Sequence, residues 1–170
     1  MKRFAWILHS LTSTSLILLA VSAWPSDGWT QTCDVEQVVP KLLDNWGVQL
    51  RNSWSDDRID PNPIVGTYGE GAVLLPTCSD GPSSGEKIKE YFAKKFLPLH
   101  PVVTFNWGAL KVGGECKNPF GSGLYSFELH ARGGEKLEAR YTYIFQQSGD
   151  SWTIKQHHSS LQPESTSKCK

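Results

Sequence analysis

The sequence runs to 170 residues, with 17 basic and 17 acidic side chains and a formal net charge of zero. That balance gives no footing for nucleic acid or for an anionic membrane surface, both of which call for a basic excess. The length fits one domain once the N-terminus is set aside, and four widely spaced cysteines without a CxxC pair point to disulfides rather than metal.

Lys2 and Arg3 precede a mostly apolar run, densest from Leu16 to Ala23, which closes on Val21-Ser22-Ala23, a small-residue pattern suited to signal peptidase. The run is too short and too early for a stable membrane span. Residues 1–23 therefore read as a signal peptide, the mature chain starts near Trp24, and the expected location is secreted or periplasmic. An uncleaved anchor is the rival. Lipid attachment at Cys33 is disfavoured, because Thr30, Gln31 and Thr32 precede it. Cys33, Cys78, Cys116 and Cys169 all fall in the mature region, where an oxidising compartment favours disulfides. Four cysteines allow three connectivities, and the sequence does not choose among them. The pairing carried forward is Cys78 with Cys116 and Cys33 with Cys169, the second tying two loose ends together.

Apolar residues at Val39, Leu43, Trp46, Leu50 and Trp54 keep the spacing of one helical face, with Pro40 suited to the first turn. Asp60-Pro61-Asn62-Pro63 breaks that helix into a turn. Ile64 to Tyr68 reads as a short helix or irregular turn, and Gly71 to Thr77 as a short strand. Ser83 and Glu86 have the spacing of a capping box. The helix behind them carries Ile88, Tyr91, Phe92, Phe96 and Leu99 on one side and Lys87, Lys89, Glu90, Lys94 and Lys95 on the other. Pro98 and Pro101 end it. Strands follow over Val102 to Trp107, Ala109 to Val112 and Gly123 to His130, with Gly113 to Ser122 as a turn-rich connection.

The last third, Ala139 to Pro163, reads as two long strands joined through Gln147 to Ser151. On the second strand Trp152, Ile154, Gln156, His158 and Ser160 share one face, so the apolar pair turns His158 inward and His157 outward. On the first, Arg140, Thr142 and Ile144 alternate with Ala139, Tyr141, Tyr143 and Phe145, and either set is able to face in. If the aromatic set faces out, its area is too large to leave in water and predicts self-association. Helices followed by antiparallel strands give an α+β plan, a curved sheet covered on one side by helices, with a cavity between them. Arg140 and His158 are the expected floor of that cavity. Tyr68, Tyr125 and Ser160 complete the ligand-binding set, with Tyr68, Tyr91 and Tyr125 otherwise serving as core or rim. An Arg fork there suits a carboxylate. Adjacent histidines on one strand point to opposite faces, so no metal site is expected, and nothing calls for a cofactor. Ser159 and Ser160 lack the turn and oxyanion hole that a hydrolase nucleophile needs.

YGEGAVLLPT from Tyr68, EKIKEYF from Glu86, GLYSFEL from Gly123, ARYTYIF from Ala139 and the W-x-I-x-x-HHSS-x-x-P run from Trp152 carry a signature. It resembles that of the bacterial secreted relatives of the calcium/calmodulin-dependent protein kinase II association domain, within the nuclear-transport-factor-2-like superfamily that also holds ketosteroid isomerase and polyketide cyclases. The resemblance covers about Val39 to Pro163. It implies a cone-shaped α+β domain over residues 34–163, a polar tail over 164–170, and assembly as a dimer or larger ring. Arg140 matches the strand Arg of the kinase hub, but Ser159 and Ser160 stand where that hub has an Arg shortly after its final His. Nothing resembles a kinase domain or calmodulin-binding segment, so kinase activity is not expected. No carboxylate clearly matches the base of ketosteroid isomerase; Glu128 and Asp60 are generic candidates. The leading expectation is a secreted small-molecule-binding or oligomerising domain for a small anionic or polar ligand, with no nucleic acid and no membrane after cleavage. The alternatives are a lyase or isomerase abstracting a proton in the same pocket, or a purely structural oligomer.

Overall fold

A computed structural model describes residues 33–163. Helix α1, Val35–Asn52, starts where the Asp34 carboxylate accepts the Glu36 N–H at 3.1 Å, satisfying one of the donors left open at a helix start. Val39, Leu43, Trp46 and Leu50 form its buried stripe, as their spacing predicts. The helix begins earlier than expected, so Pro40 lies inside it rather than in its first turn. Trp54 has left the helix for a two-residue strand, β1 (Trp54–Ser55), paired with β2 (Arg58–Ile59). The buried Ser53 hydroxyl donates to the Gln49 carbonyl at 2.8 Å and accepts the Ile64 N–H at 3.0 Å, which pins short helix α2 (Asn62–Val65) against the end of α1.

Next come β3 (Tyr68–Leu75), β4 (Ser83–Ser84) and α3 (Glu86–Tyr91). The expected capping box is absent. Ser83 is paired with Leu74 in the sheet, and the residue before the helix is Gly85, whose φ of +53° suits a residue without Cβ. A wider π-helical turn, Phe92–Phe96, and a 3₁₀ turn, Leu97–Leu99, complete this layer. The remaining strands are β5 (Pro101–Glu115), β6 (Asn118–Leu129), β7 (Glu135–Ser148) and β8 (Ser151–Leu161). Gly113 to Ser122 is thus mostly ladder and not a connection. Phe120 lies across Gly113, where a Cβ would sit only 2.7 Å from the ring, and Gly121 lets Val39 of α1 approach equally closely.

The six strands run in the order β4-β3-β8-β7-β6-β5. Neighbours are antiparallel except β3 and β8, which are parallel, so the sheet is mixed. Its concave face meets α1 over a core of Leu43, Trp46, Phe105, Tyr125, Tyr141, Tyr143 and Phe145. The aromatic face of β7 is therefore inside, and the surface expected to drive self-association carries Arg140, Thr142 and Ile144 instead.

One irregularity decides which side chains of β8 enter the cavity. Ile144 pairs with Gln156 and Phe145 with Ile154, which leaves Lys155 as an unopposed residue in a β-bulge. Lys155 and Gln156 are both exposed, and alternation resumes one step out of phase. His157, Ser159 and Leu161 consequently point in, while His158 is exposed. The expected inward His158 and outward His157 are exchanged, because a single extra residue reverses every side chain beyond it.

The cysteine pairing also differs. Cys33 and Cys116 are free thiols lying together, the Cys116 Sγ–H reaching the Cys33 carbonyl at 3.0 Å, and Cys78 is engaged separately. Neither expected pair is present: Cys116 sits beside the start of α1, away from Cys78. Cys169, like the signal segment, lies outside the described residues.

Deleting Lys155 removes the surplus residue without turning its neighbours, so the variant should fold with a loss below about 2 kcal/mol. Acylation by diethyl pyrocarbonate, mapped by mass spectrometry, should then mark His158 and spare His157 in both proteins. A protected His158 in the wild type would contradict the bulge.

Candidate functional site

Between the concave face, α1 and the π-helical turn lies a cavity of about 290 Å³. Its walls are mainly apolar, with Phe92, Phe96 and Leu99 on the helical side and Phe127 and Leu137 on the sheet. The wide turn stacks Tyr91 on Phe96 at 6.0 Å, and the edge of Phe96 meets Phe127 at 5.1 Å, which closes one side.

A single polar strip runs along the cavity's inner side. Trp46 Nε1–H donates to the Tyr68 hydroxyl at 3.3 Å, and that hydroxyl lies 2.8 Å from Nδ1 of His157. On the other side of the ring, Nε2 is 3.5 Å from the Tyr125 hydroxyl, which donates to Ser159 at 2.5 Å. Ser159 in turn is hydrogen-bonded to Thr77. The indole can only donate, so Tyr68 accepts from Trp46 and its own proton is free for Nδ1. That leaves His157 as the neutral tautomer protonated on Nε2. Burial favours the same state: desolvation, helped by the neighbouring His158, lowers the His157 pKa to about 3. The ring is stacked on Tyr143 at 3.9 Å between centroids and meets the edge of Trp46 at 5.5 Å. Burial raises the pKa of Tyr68 and Tyr125 well above the ordinary tyrosine range, so both remain protonated donors.

Among the described residues, none that line this cavity is an Asp or Glu, and no cluster of metal-ligating side chains is found there or elsewhere. Lys95 and Arg132 are exposed lining residues and therefore belong to the rim.

Neither family models nor curated proteins match this chain. Solved structures do. A provisionally assigned calcium/calmodulin-dependent protein kinase II association domain from Xanthomonas campestris is 27% identical, covering 93% of this chain and 99% of its own, with a TM-score of 0.66. The fold is that of the nuclear-transport-factor-2-like superfamily. Other NTF2-like neighbours share only the fold. A provisionally assigned dehydratase of that family from Streptomyces avermitilis is 13% identical, covers 76% of this chain and 96% of its own, and has a TM-score of 0.62. An NTF2-like protein of unknown function from Shewanella oneidensis is also 13% identical, at 74% and 98% coverage and a TM-score of 0.57.

Within this NTF2-like cone the five sequence-derived site residues divide between two faces. Tyr68 and Tyr125 lie inside, in the polar strip. Arg140, His158 and Ser160 do come together, since Arg140 pairs with Ser160 and Thr142 with His158, but on the outer face. There they border a shallow groove with Leu75 and Ser79, and Arg140 donates to the Leu161 carbonyl at 3.2 Å. The expected polar floor is thus supplied by His157 and Ser159, with Thr77 and Trp46. The clue was the seven-residue step from Ile154 to Leu161. Both residues are apolar, and an odd separation places both inside only if the strand carries a bulge. The generic carboxylates Glu128 and Asp60 also lie outside the cavity: Glu128 is exposed beside His130 at 3.4 Å, and Asp60 pairs with Arg58.

The tyrosine hydroxyls separate in their expected effects. Tyr68→Phe strands the Trp46 donor and the His157 acceptor and should cost on the order of 2 kcal/mol. The buried hydroxyl of Tyr143 has no partner among the described residues, so Tyr143→Phe should be neutral or stabilising by up to about 1 kcal/mol. Urea melts compare the two. The His157 shift adds a pH dependence with a definite sign. The unfolded ring binds a proton below about 6.5 and the folded one does not until about pH 3, so this contribution is complete above 6.5 and is lost as pH falls between those values. Its slope approaches about 1.4 kcal/mol per pH unit. His157→Gln should flatten the wild-type curve over that window; parallel curves would mean that the ring is not buried neutral.

Proposed function

We propose that this chain is a small-molecule-binding domain whose ligand occupies the cone cavity and meets the hydroxyls of Tyr125, Ser159 and Thr77. The observation that carries this reading is the contrast within one cavity: apolar and aromatic walls between a hydrogen-bonded polar strip at the inner side and the exposed Lys95 and Arg132 at the rim. Such a site gains affinity from its walls and orientation from its strip. The volume suits a compound of roughly ten to fifteen non-hydrogen atoms.

Proton abstraction from carbon, the chemistry of an isomerase or lyase, is served poorly here. A general base works best with a pKa near the working pH. His157 is a weak base with both ring nitrogens engaged, and the lining residues offer no carboxylate. The family's dehydratase neighbour bears on this chain only as evidence that the same cone accommodates small organic molecules.

The Lys2-Arg3 start and the Val21-Ser22-Ala23 site support export with cleavage near Trp24. In an oxidising compartment the adjacent thiols Cys33 and Cys116 would be joined, fixing the start of α1 to the β5–β6 turn. The outer face of β6 and β7 carries Phe120, Leu124 and Ile144 around the Ser122–Thr142 hydroxyl pair, a mixed surface suited to self-association.

Two experiments check these statements. Thermal shifts with small aromatic ketones and acids should appear in the wild type and vanish in Leu137→Trp, where the added ring fills the cavity; shifts that survive would place binding elsewhere. Protein recovered from the exporting cell should begin near Trp24 and give a Cys33–Cys116 crosslinked peptide under non-reducing digestion. An intact Met1 with reduced thiols would contradict export.

A further inference from the structure

The hydrogen bonds of the polar strip leave a proton over. Tyr68, His157 Nε2, Tyr125, Ser159 and Thr77 bring one proton each, while the chain from Tyr68 to Thr77 has only four links: Tyr68 to His157, His157 to Tyr125, Tyr125 to Ser159, and Ser159 with Thr77. Trp46 fixes the direction at one end because its indole can only donate. Whichever of Ser159 and Thr77 donates in the last link, the surplus O–H belongs to one of those two, and both line the cavity. The strip therefore presents a donor to whatever enters.

The rim is of opposite character. Lys95 projects from the π-helical turn and Arg132 from the 3₁₀ turn, His130–Arg132, that links β6 to β7. Lys94 is committed to Glu90 at 2.6 Å, whereas Lys95 makes no ion pair among the described residues. Arg132 lies 3.5 Å from Glu135, which offsets part of its charge. With no carboxylate in the lining, the mouth keeps a positive excess and the interior is neutral. The Phe96–Phe127 contact joins the two walls that carry these cations, so the apolar section lies between rim and strip.

We infer that the cavity selects an amphipathic carboxylate: a ring-sized apolar body with a hydrogen-bond acceptor, such as a ketone, at its inner end and a carboxylate at its outer end. This deepens the small-molecule-binding reading and rests on it. The acceptor takes the surplus proton of the Ser159–Thr77 pair, the body lies against Phe92, Phe96 and Phe127, and the carboxylate meets Lys95 and Arg132. A neutral interior penalises a charge at the deep end, which sets the orientation.

Three matched probes separate these contributions: para-acetylphenylpropionate, its methyl ester, and para-ethylphenylpropionate. Titration followed by Trp46-sensitive fluorescence and calorimetry gives their affinities for wild type, Lys95→Gln, Thr77→Val, the double variant Ser159→Ala/Thr77→Val and Leu137→Trp. The keto acid should bind tightest. The ester should be weaker by about three- to ten-fold, a modest factor because the rim is exposed. The ethyl compound, lacking the acceptor, should be weaker by roughly five-fold. Lys95→Gln should reduce the acid–ester difference and leave the ketone–ethyl difference alone. Thr77→Val leaves the Ser159 proton as the surplus one and should keep the ketone preference. Ser159→Ala/Thr77→Val, which removes both hydroxyls and leaves only that of the buried Tyr125, should lose it without changing the acid–ester difference. Equal affinities for acid and ester, or a ketone preference untouched by Ser159→Ala/Thr77→Val, would overturn the proposed ligand class. If those probes still bind and Leu137→Trp abolishes the binding, the cavity itself stands as the site. Absence of binding by all three probes at millimolar concentration, in folded wild-type protein, would overturn both readings.

Discussion

The structure depends on a neutral imidazole held where water does not reach. His157 joins four other elements at one point: α1 through Trp46, β3 through Tyr68, β6 through Tyr125 and β7 through Tyr143. An imidazole is suited to this position because it offers a donor and an acceptor on opposite sides of a flat ring while its faces remain available for stacking. Replacing it by an aliphatic residue would fill the volume, leave the Tyr68 proton without an acceptor and leave the Tyr125 oxygen without its donor. The same ring divides the interior into a stacked aromatic core and a hydroxyl strip open to the cavity. Stability and the proposed ligand recognition thus draw on one group, and its resistance to protonation keeps the interior uncharged.

Periodicity made much of this architecture legible and failed at particular residues for physical reasons. The stripe from Val39 to Leu50 was read correctly because it follows the unbroken period of its helix, and the two strands of the final hairpin were recognised although one of them bulges. The family signature identified the cone. The inward face of β8 was misassigned by one residue, since alternation was carried through Lys155 where the backbone bulges, and the error passed to His158 and Ser160. Arg140 failed differently. The choice of face on β7 was open, and the four residues Ala139, Tyr141, Tyr143 and Phe145 together bury more apolar area than Arg140, Thr142 and Ile144. Tyr68 and Tyr125 lie inside, where both meet His157.

Local signals were overridden where tertiary pairing offered more. Ser83 has the right neighbour for a capping box, yet its backbone pairs with Leu74, and the helix starts from Gly85 without a side-chain cap. Two adjacent glycines and an Asn-Pro step normally mark a loop, yet Gly113 and Gly114 continue β5, because Phe120 from the next strand covers Gly113 and the Asn118–Pro119 backbone closes on Gly114. In both places pairing with the adjacent strand of the chain replaced the cue of the immediate sequence.

Strand β8 has a further consequence for how the chain reaches this state. It lies between β3 and β7, the sheet's single parallel neighbour on one side and its hairpin partner on the other. A growing polypeptide that has not yet released residues 151–161 therefore holds two unpaired strand edges and lacks His157, the group on which the interior converges. Pairing so distant in sequence forms slowly, because the loop between Leu75 and Ser151 must close before any contact rewards it. Folding is consequently deferred until synthesis has passed the last strand. A chain that stays open so long offers its edges to chaperones, and one proteolytic cut in the Gly149 turn made before closure severs β8 from the strand it pairs with.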